Sequence, residues 1–185
     1  MATLTTNYQR AVKKRAKTKE GWKKPPEGNL LLNVDASYNQ DRGTGSTGAV
    51  IRDSSGSFIA AAARFIEHVL DAPMAEAMAV REGLLLAQQI GCNRLMIQSD
   101  CLEVVETMKQ DGISATASAP VYDECAQLWQ DFVSISIEHC NREANKVAHE
   151  VARVAMVSKL SCNWVDEPPS FILEASVNDA TLFGD

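Results

Sequence analysis

Residues 30–37 read LLLNVDAS, and their side chains alternate between two faces as in a β-strand. One face carries Leu30, Leu32, Val34 and Ala36, and the other carries Leu31, Asn33, Asp35 and Ser37. Aspartate is depleted in strand interiors. The carboxylate of Asp35 therefore indicates a functional group, with a purely structural role as the alternative.

The elements around this strand predict an α/β fold. Strands are predicted at 46–52 and 57–66, and the turn-forming residues DSSG between them make the first three strands an antiparallel meander. A helix is predicted over 71–90, with Asp71 as N-cap, Pro73 in the first turn and Gly91 after its end. The remaining predictions are a strand at 94–99, helices at 101–111 and about 119–131, a strand at 132–139 and a helix from 142 to about 159. The order is βββαβααβα.

Two more acidic residues lie in apolar settings. Glu76 starts a helical stripe that continues through Val80, Gly83, Ala87 and Ile90. Its alternative role is to complement the dipole of the first helical turn. Asp100 ends a strand and precedes a helix, so N-capping is its alternative role. Three separated carboxylates in such settings suggest a metal site.

The charge of the chain is divided unevenly along its length. Residues 1–29 contain eight Lys and Arg against two Glu, whereas residues 30–185 contain ten against 22 Asp and Glu. The acidic part disfavours nonspecific contact with a phosphate backbone. We interpret residues 1–28 as a flexible basic arm that is a solvated linker, a nucleic-acid tether or a nuclear-import signal.

The composition is that of one intracellular domain. The chain has 185 residues, of which 45% are hydrophobic, and no apolar run has the length of a membrane-spanning helix. The N-terminus is polar and basic where a secretory signal is apolar. We therefore expect a protein of the nucleus or cytoplasm that has no membrane partner and acts as a monomer.

Four motifs resemble the ribonuclease H type 1 superfamily, and within it the reverse-transcriptase-like RNase H domains that are abundant in plants and related to retroelements. They are WKKPPEGNLLLNVDA at 22–36, AEAMAVREGL at 75–84, IQSDCLEVV at 97–105 and REANKVAHEVA at 142–152. The resemblance implies an α/β fold with a mixed five-stranded sheet, three antiparallel strands and then two more, flanked by helices. It implies an RNase H-like domain at 29–160 and a C-terminal tail at 161–185.

The resemblance also implies an activity. RNases H of this type use two Mg²⁺ ions to hydrolyse the RNA strand of RNA/DNA hybrids. By motif position, Asp35 binds both ions, Glu76 and Asp100 bind one, and His149 stands at the position that binds the other. We expect a hybrid nuclease whose catalytic and metal-binding residues are these four.

His149 departs from the aspartate that active RNases H have at this position. Neutral imidazole is a poor ligand for Mg²⁺ and an acceptable one for Mn²⁺, so Mn²⁺ is the alternative cofactor. Glu150 does not substitute, because one residue turns a helix by about 100°. His149 as a solvated residue near Arg153 is the alternative reading. There are two alternative functions. One is a catalytically weak or inactive module that binds nucleic acid, and the other is a protein-interaction domain left from a retroelement, with no nucleic-acid role.

Substrate contacts are less clearly indicated. Ala72 and Pro73 stand where RNases H often have two asparagines that contact the hybrid in its minor groove. Selectivity for RNA depends on sensing the 2′-hydroxyl group, so this departure weakens the expectation of hybrid recognition. We expect Ser37, Asn39 and Gln40, which follow the first carboxylate, to contact nucleic acid.

Overall fold

The computed structural model describes residues 20–181, and within them it has six strands and five α-helices. The strands are β1 Leu30–Asn39, β2 Thr44–Arg52, β3 Phe58–Ile66, β4 Arg94–Ser99, β5 Ser134–His139 and β6 Cys162–Val165. The helices are α1 Ala72–Gln89, α2 Leu102–Lys109, α3 Ala119–Trp129, α4 Lys146–Ser158 and α5 Ser170–Thr181. A 3-10 turn, Arg142–Asn145, precedes α4. Residues 1–19 of the predicted basic arm lie outside the described residues.

The strands form one mixed sheet in the order β5-β4-β1-β2-β3-β6. Strands β1, β2, β3 and β6 pair antiparallel, whereas β1, β4 and β5 pair parallel. The predicted α/β class and mixed sheet are confirmed. The predicted count of five strands was wrong, because residues 162–165, assigned to the C-terminal tail, pair with β3 and add a sixth strand.

Helices cover both faces of the sheet. Helices α1, α2 and α3 pack over one hydrophobic cluster, which contains Leu32 and Val34 of β1. Helices α4 and α5 pack over a second cluster on the other face, which contains Val50 and Val151. Because successive side chains of a strand alternate between faces, Asn33 and Asp35 point to the face that α4 covers.

Helix α1 lies within one residue of its predicted bounds at each end, and Asp71 is its N-cap as predicted. The Asp71 carboxylate accepts a hydrogen bond of 2.8 Å from the backbone N–H of Met74, which is the N-cap interaction. Gly91 follows the helix with a φ of +73°, a conformation that favours glycine. Neither α1 nor any other helix within residues 20–181 is both long and apolar enough to cross a membrane.

Helix α4 lies directly against the backbone of β2. At Gly48 an added Cβ atom would collide with the carbonyl oxygen of Ala148 and lie 2.5 Å from the backbone nitrogen of Ala152. The hydroxyl of Ser46 donates a hydrogen bond of 2.7 Å to the carbonyl oxygen of Ala152. Since Gly48 is paired with Asp35 across the two strands, this close approach brings the first turn of α4 beside Asp35.

Candidate active site

Two carboxylates come together through the parallel pairing of β1 and β4. The register aligns Val34 with Ser99, so the residues that follow this pair, Asp35 in β1 and Asp100 directly after β4, are neighbours. Asp35 is 5% exposed and therefore largely desolvated. The pair puts two acidic side chains at the carboxyl end of β4, beside the segment that precedes α4.

Helix α1 supplies the third carboxylate. Glu76 lies in the second turn of α1, and its Oε2 atom is buried with no hydrogen-bond partner among the described residues. Burial, with smaller contributions from the charges of Asp35 and Asp100, raises the pKa of Glu76 to about 8. A buried carboxylate oxygen without a donor is costly, so this atom is suited to a cation.

Asp35 also has a raised pKa. Burial is the largest cause, the negative charge of Asp100 adds to it, and together they raise the pKa of Asp35 to about 6. The hydrogen bond and the charge of His149 act in the opposite direction and are smaller. Both raised values have the same main origin, which is the burial of carboxylates close to one another.

His149 contacts the carboxylate of Asp35. Its Nδ1 atom lies 2.8 Å from Oδ2 of Asp35, and with Asp35 ionised the imidazole N–H donates. Arg153, the alternative neighbour of His149, pairs instead with Glu150, with 2.9 Å between Nη2 and Oε2. Glu150 therefore faces a partner on its own helix, as its displacement of one residue from His149 predicts.

Asp100 is held by the segment before α4. Its Oδ1 atom accepts a hydrogen bond of 3.4 Å from Nδ2 of Asn145, and its Oδ2 atom lies 3.7 Å from Nε of Arg142. Helix α2 has Cys101 as its N-cap residue and no side-chain cap. Asp100 is therefore not the cap of α2, and its carboxylate faces the other acidic residues.

All four predicted site residues line one cavity of about 520 Å³. Arg142, Asn145 and Lys146 line it as well. No sequence pattern indicates a role for these three residues, although they lie in the REANKVAHEVA motif. The motif was assigned to a regular helix, and the 3-10 turn that directs Asn145 inward has no separate sequence signal.

The chain matches the reverse transcriptase-like family over residues 33–155, about two thirds of its length. The chain belongs to this family. Its fold is similar to that of solved RNase H1 structures. The aligned region contains all four predicted site residues.

Relatives of this reverse transcriptase-like domain carry ribonuclease H names. A protein of Arabidopsis thaliana named as a putative ribonuclease H protein is 29% identical over 150 residues, which cover 80% of this chain and 24% of that protein. The chain thus spans about a quarter of the length of this relative. RNase H1 of Halobacterium salinarum has a TM-score of 0.66 at 19% identity, covering 72% of this chain and 100% of that one. LC11-RNase H1, solved in complex with an RNA/DNA hybrid, has a TM-score of 0.63 at 18% identity, covering 70% and 98%.

The carboxylates of this reverse transcriptase-like domain fit a divalent cation by their chemistry. Among residues 20–181, no three His, Cys, Asp or Glu side chains form a group that could hold a metal ion in their present positions. Asp35 and Asp100 both have protein partners. However, Glu76 has a buried oxygen without a donor, and all three carboxylates line one cavity. Hard oxygen donors of this kind suit Mg²⁺, which retains several waters and needs few protein ligands.

The three predicted substrate contacts lie beyond the carboxylates, at and after the end of β1. Within the described part of the domain, the cavity with the carboxylates is lined by Asp35 and Ala36 but not by Ser37, Asn39 or Gln40. Asn39 accepts a hydrogen bond of 3.2 Å from the backbone N–H of Arg42 and lines a second cavity of about 360 Å³. These three residues therefore do not line the cavity that contains the carboxylates, and their contact with nucleic acid stays a prediction.

Proposed function

We propose that this domain is a divalent-metal-dependent endonuclease that hydrolyses the RNA strand of RNA/DNA hybrids. The observation that carries the proposal is the meeting of Asp35, Glu76 and Asp100, from three separate elements, in one cavity of about 520 Å³. The fold of RNases H and a relative with a ribonuclease H name support the same activity. The reaction class is metal-assisted phosphodiester hydrolysis.

The three carboxylates are the residues that would hold the cations. Bound Mg²⁺ supplies an activated water and stabilises the negative charge on the phosphate and leaving oxygen. The buried oxygen of Glu76 and the raised pKa of its carboxyl group favour a bound cation, because positive charge compensates the desolvated carboxylates. Arg142 and Lys146 line the same cavity and contribute positive charge toward an incoming phosphate.

His149 supports Mn²⁺ as the alternative cofactor. It stands at the fourth ligand position by motif and contacts Asp35, and imidazole nitrogen is a better ligand for Mn²⁺ than for Mg²⁺. Asp35 and His149 would together offer a carboxylate oxygen and an imidazole nitrogen to a cation at this position. We therefore propose that activity is higher in Mn²⁺ than in Mg²⁺.

A hybrid-cleavage assay tests this function. The full chain is incubated with a fluorogenic RNA/DNA hybrid in Mg²⁺ or in Mn²⁺, and with single-stranded RNA, double-stranded RNA and double-stranded DNA of the same sequence. We expect cleavage of the RNA strand in the hybrid alone. The variant Asp35→Asn should be inactive, and the surface variant Glu106→Gln should match the wild type. Absence of hybrid cleavage in both metals would refute the nuclease proposal.

The contact between His149 and Asp35 favours a second candidate, a nucleic-acid-binding module with little or no cleavage. In this alternative the imidazole keeps Asp35 from acting as a shared metal ligand. If the assay shows no cleavage, hybrid binding is measured between 50 and 200 mM salt (about a fourfold range). Affinity that falls as the salt concentration rises supports the binding module, and absence of binding supports an interaction domain without a nucleic-acid role.

A further inference from the structure

Asn33 lies at the centre of a buried polar network beneath the carboxylates. It is 0% exposed, and its Oδ1 atom accepts hydrogen bonds from Nε1 of Trp22 at 3.0 Å and from Nη2 of Arg52 at 3.3 Å. Its Nδ2 atom donates to Oδ1 of Asn145 at 3.2 Å and to Oε1 of Gln98 at 3.3 Å. These contacts fix the orientation of the amide, because a flipped amide would turn its NH₂ group toward two other donors.

Asn145 continues this network to the active site. Its Oδ1 atom accepts from Asn33, and its Nδ2 atom donates to the carbonyl oxygen of Val34 at 2.9 Å and to Oδ1 of Asp100 at 3.4 Å. Trp22 therefore donates to Asn33, Asn33 to Asn145, and Asn145 to Asp100. Three successive hydrogen bonds point in the same direction, and such chains strengthen one another by polarisation.

Arg52 anchors the outer end of the network. It is 3% exposed, and its guanidinium carbon lies 3.9 Å from the centroid of the Trp22 ring, a cation–π contact. The arrangement holds the indole N–H against Asn33. Trp22 lies before residue 33, where the match to the family begins, so this contact comes from a segment outside the matched region.

We propose that Trp22, Arg52 and Asn33 are positioning residues of the active site. They fix the amide of Asn145, and through it the Asp100 carboxylate, in the orientation that a bound cation requires. The role of Asp100 in this inference rests on the proposed function. The competing explanation is that the network only satisfies buried polar groups, and it differs in predicting no effect on Asn145 or Asp100 when the outermost donor is removed.

The variant Trp22→Phe removes the indole N–H and keeps an aromatic ring over Arg52. Three quantities are measured on the full chain: hydrogen exchange and chemical shift of the Asn145 side-chain NH₂ group by NMR, the midpoint of a Mg²⁺ titration, and kcat and KM for hybrid cleavage. We expect faster exchange at Asn145, a Mg²⁺ midpoint raised about fivefold and kcat lowered by a similar factor, with KM unchanged. The control is Trp164→Phe, since Trp164 lies in the edge strand β6 and packs on Phe171.

A second variant, Asn33→Asp, keeps two acceptor oxygens for Trp22 and Arg52 but has no donor for Asn145. Its added negative charge alone would strengthen cation binding, so weaker Mg²⁺ binding in this variant identifies a loss of positioning. Unchanged Asn145 resonances and an unchanged Mg²⁺ midpoint in Trp22→Phe, or tighter Mg²⁺ binding in Asn33→Asp, would overturn the inference. The NMR and titration readouts remain decisive if the wild type does not cleave hybrids, which would count against the proposed function only.

Discussion

The Nδ1 atom of His149 lies 2.8 Å from Oδ2 of Asp35, the carboxylate on which the negative charge of Asp100 also acts. Asp35 is largely buried, whereas the side chain of His149 is 59% exposed. The imidazole lowers the pKa of Asp35, but burial and Asp100 outweigh it and raise that pKa to about 6. His149 thus compensates the charge of Asp35 only in part, and it shares an oxygen that a cation would use.

The first prediction concerns His149→Asp. The substitution replaces a hydrogen-bond donor with a fourth carboxylate beside Asp35, so we expect the metal-free protein to lose about 1–2 kcal/mol in its free energy of unfolding. Mg²⁺ should then raise the Tm of the variant more than that of the wild type, because more negative charge is compensated on binding. Thermal unfolding with and without Mg²⁺ measures both effects, and the hybrid assay should show increased Mg²⁺-dependent cleavage.

His149→Asn is the matched control, since it removes the imidazole without adding charge. It should lose stability without gaining a larger response to Mg²⁺. Equal Mg²⁺-induced shifts in the Tm of wild type and His149→Asp would show that residue 149 is not at a ligand position, and the fourth place in the site would then have to be filled by another group or by water.

The second prediction is a decline in stability as the pH rises. The pKa values of Asp35 and Glu76 are raised in the folded state, to about 6 and about 8, so between pH 4 and pH 8 (about the span of these values) the folded protein binds more protons than the unfolded one. Their stabilising contribution is complete below the unfolded pKa values near 4. It is lost as the pH rises from there to the folded pKa, about 6 for Asp35 and about 8 for Glu76, at up to about 1.4 kcal/mol per pH unit for each group.

Urea unfolding at pH 5 and at pH 8 measures this decline. A fixed concentration of Mg²⁺ should reduce it, because a bound cation favours the ionised carboxylates that the rising pH produces. NaCl at matched ionic strength controls for screening. A free energy of unfolding that rises from pH 5 to pH 8, or a decline that Mg²⁺ leaves unaltered, would contradict the assignment of buried, cation-binding carboxylates.

Much of the site could be predicted because short motifs locate it. Asp35, Glu76 and Asp100 were identified from carboxylates in apolar settings, and each setting has a local signature: a strand interior, an apolar helical stripe and a strand end. The parallel register of β1 and β4 then brings Asp35 and Asp100 together. That register follows from the fold class, which the order of elements indicated.

Contacts that depend on tertiary packing could not be predicted in the same way. Strand β6 has four residues, and its pairing with β3 is supported by the packing of Trp164 on Phe171 from α5. The contact between Trp22 and Arg52 joins residues from different segments, and no periodicity indicates it. The partner of His149 was left open between the site and Arg153, because the position of α4 on the sheet decides it.

The third prediction concerns that position of α4. Gly48→Ala would push a methyl group into the backbone of α4 at Ala148 and Ala152, and neither strand nor helix backbone moves easily. We expect a loss of about 3 kcal/mol in the free energy of unfolding and a weakened contact between His149 and Asp35, detected by NMR as changed chemical shifts of the His149 imidazole.

Gly83→Ala is the matched control for this substitution. An added Cβ atom at Gly83 would meet side-chain methyl carbons of Leu32 and Val34, at 2.7 and 2.9 Å, and methyl groups rearrange at lower cost than backbone. Its loss of stability should be smaller, and the chemical shifts of the His149 imidazole should be unchanged. If the two variants are equally destabilised and equally alter His149, the close approach at Gly48 does not set the position of the imidazole.

The fourth prediction separates stability from function at Glu76. Glu76→Gln removes a buried charge whose pKa is raised to about 8, so the metal-free variant should be more stable than the wild type by about 2 kcal/mol at pH 8. At pH 5 the difference should be small, because Glu76 is already protonated in the folded state. Cleavage of the hybrid should fall to background, since a neutral amide is a weak ligand for Mg²⁺.

Glu106→Gln removes the same charge from an exposed position on α2 and should change neither quantity. A Glu76→Gln variant that is less stable at pH 8 would mean that Oε2 of Glu76 has a stabilising partner in solution, and a variant that still cleaves would remove Glu76 from the metal-binding set.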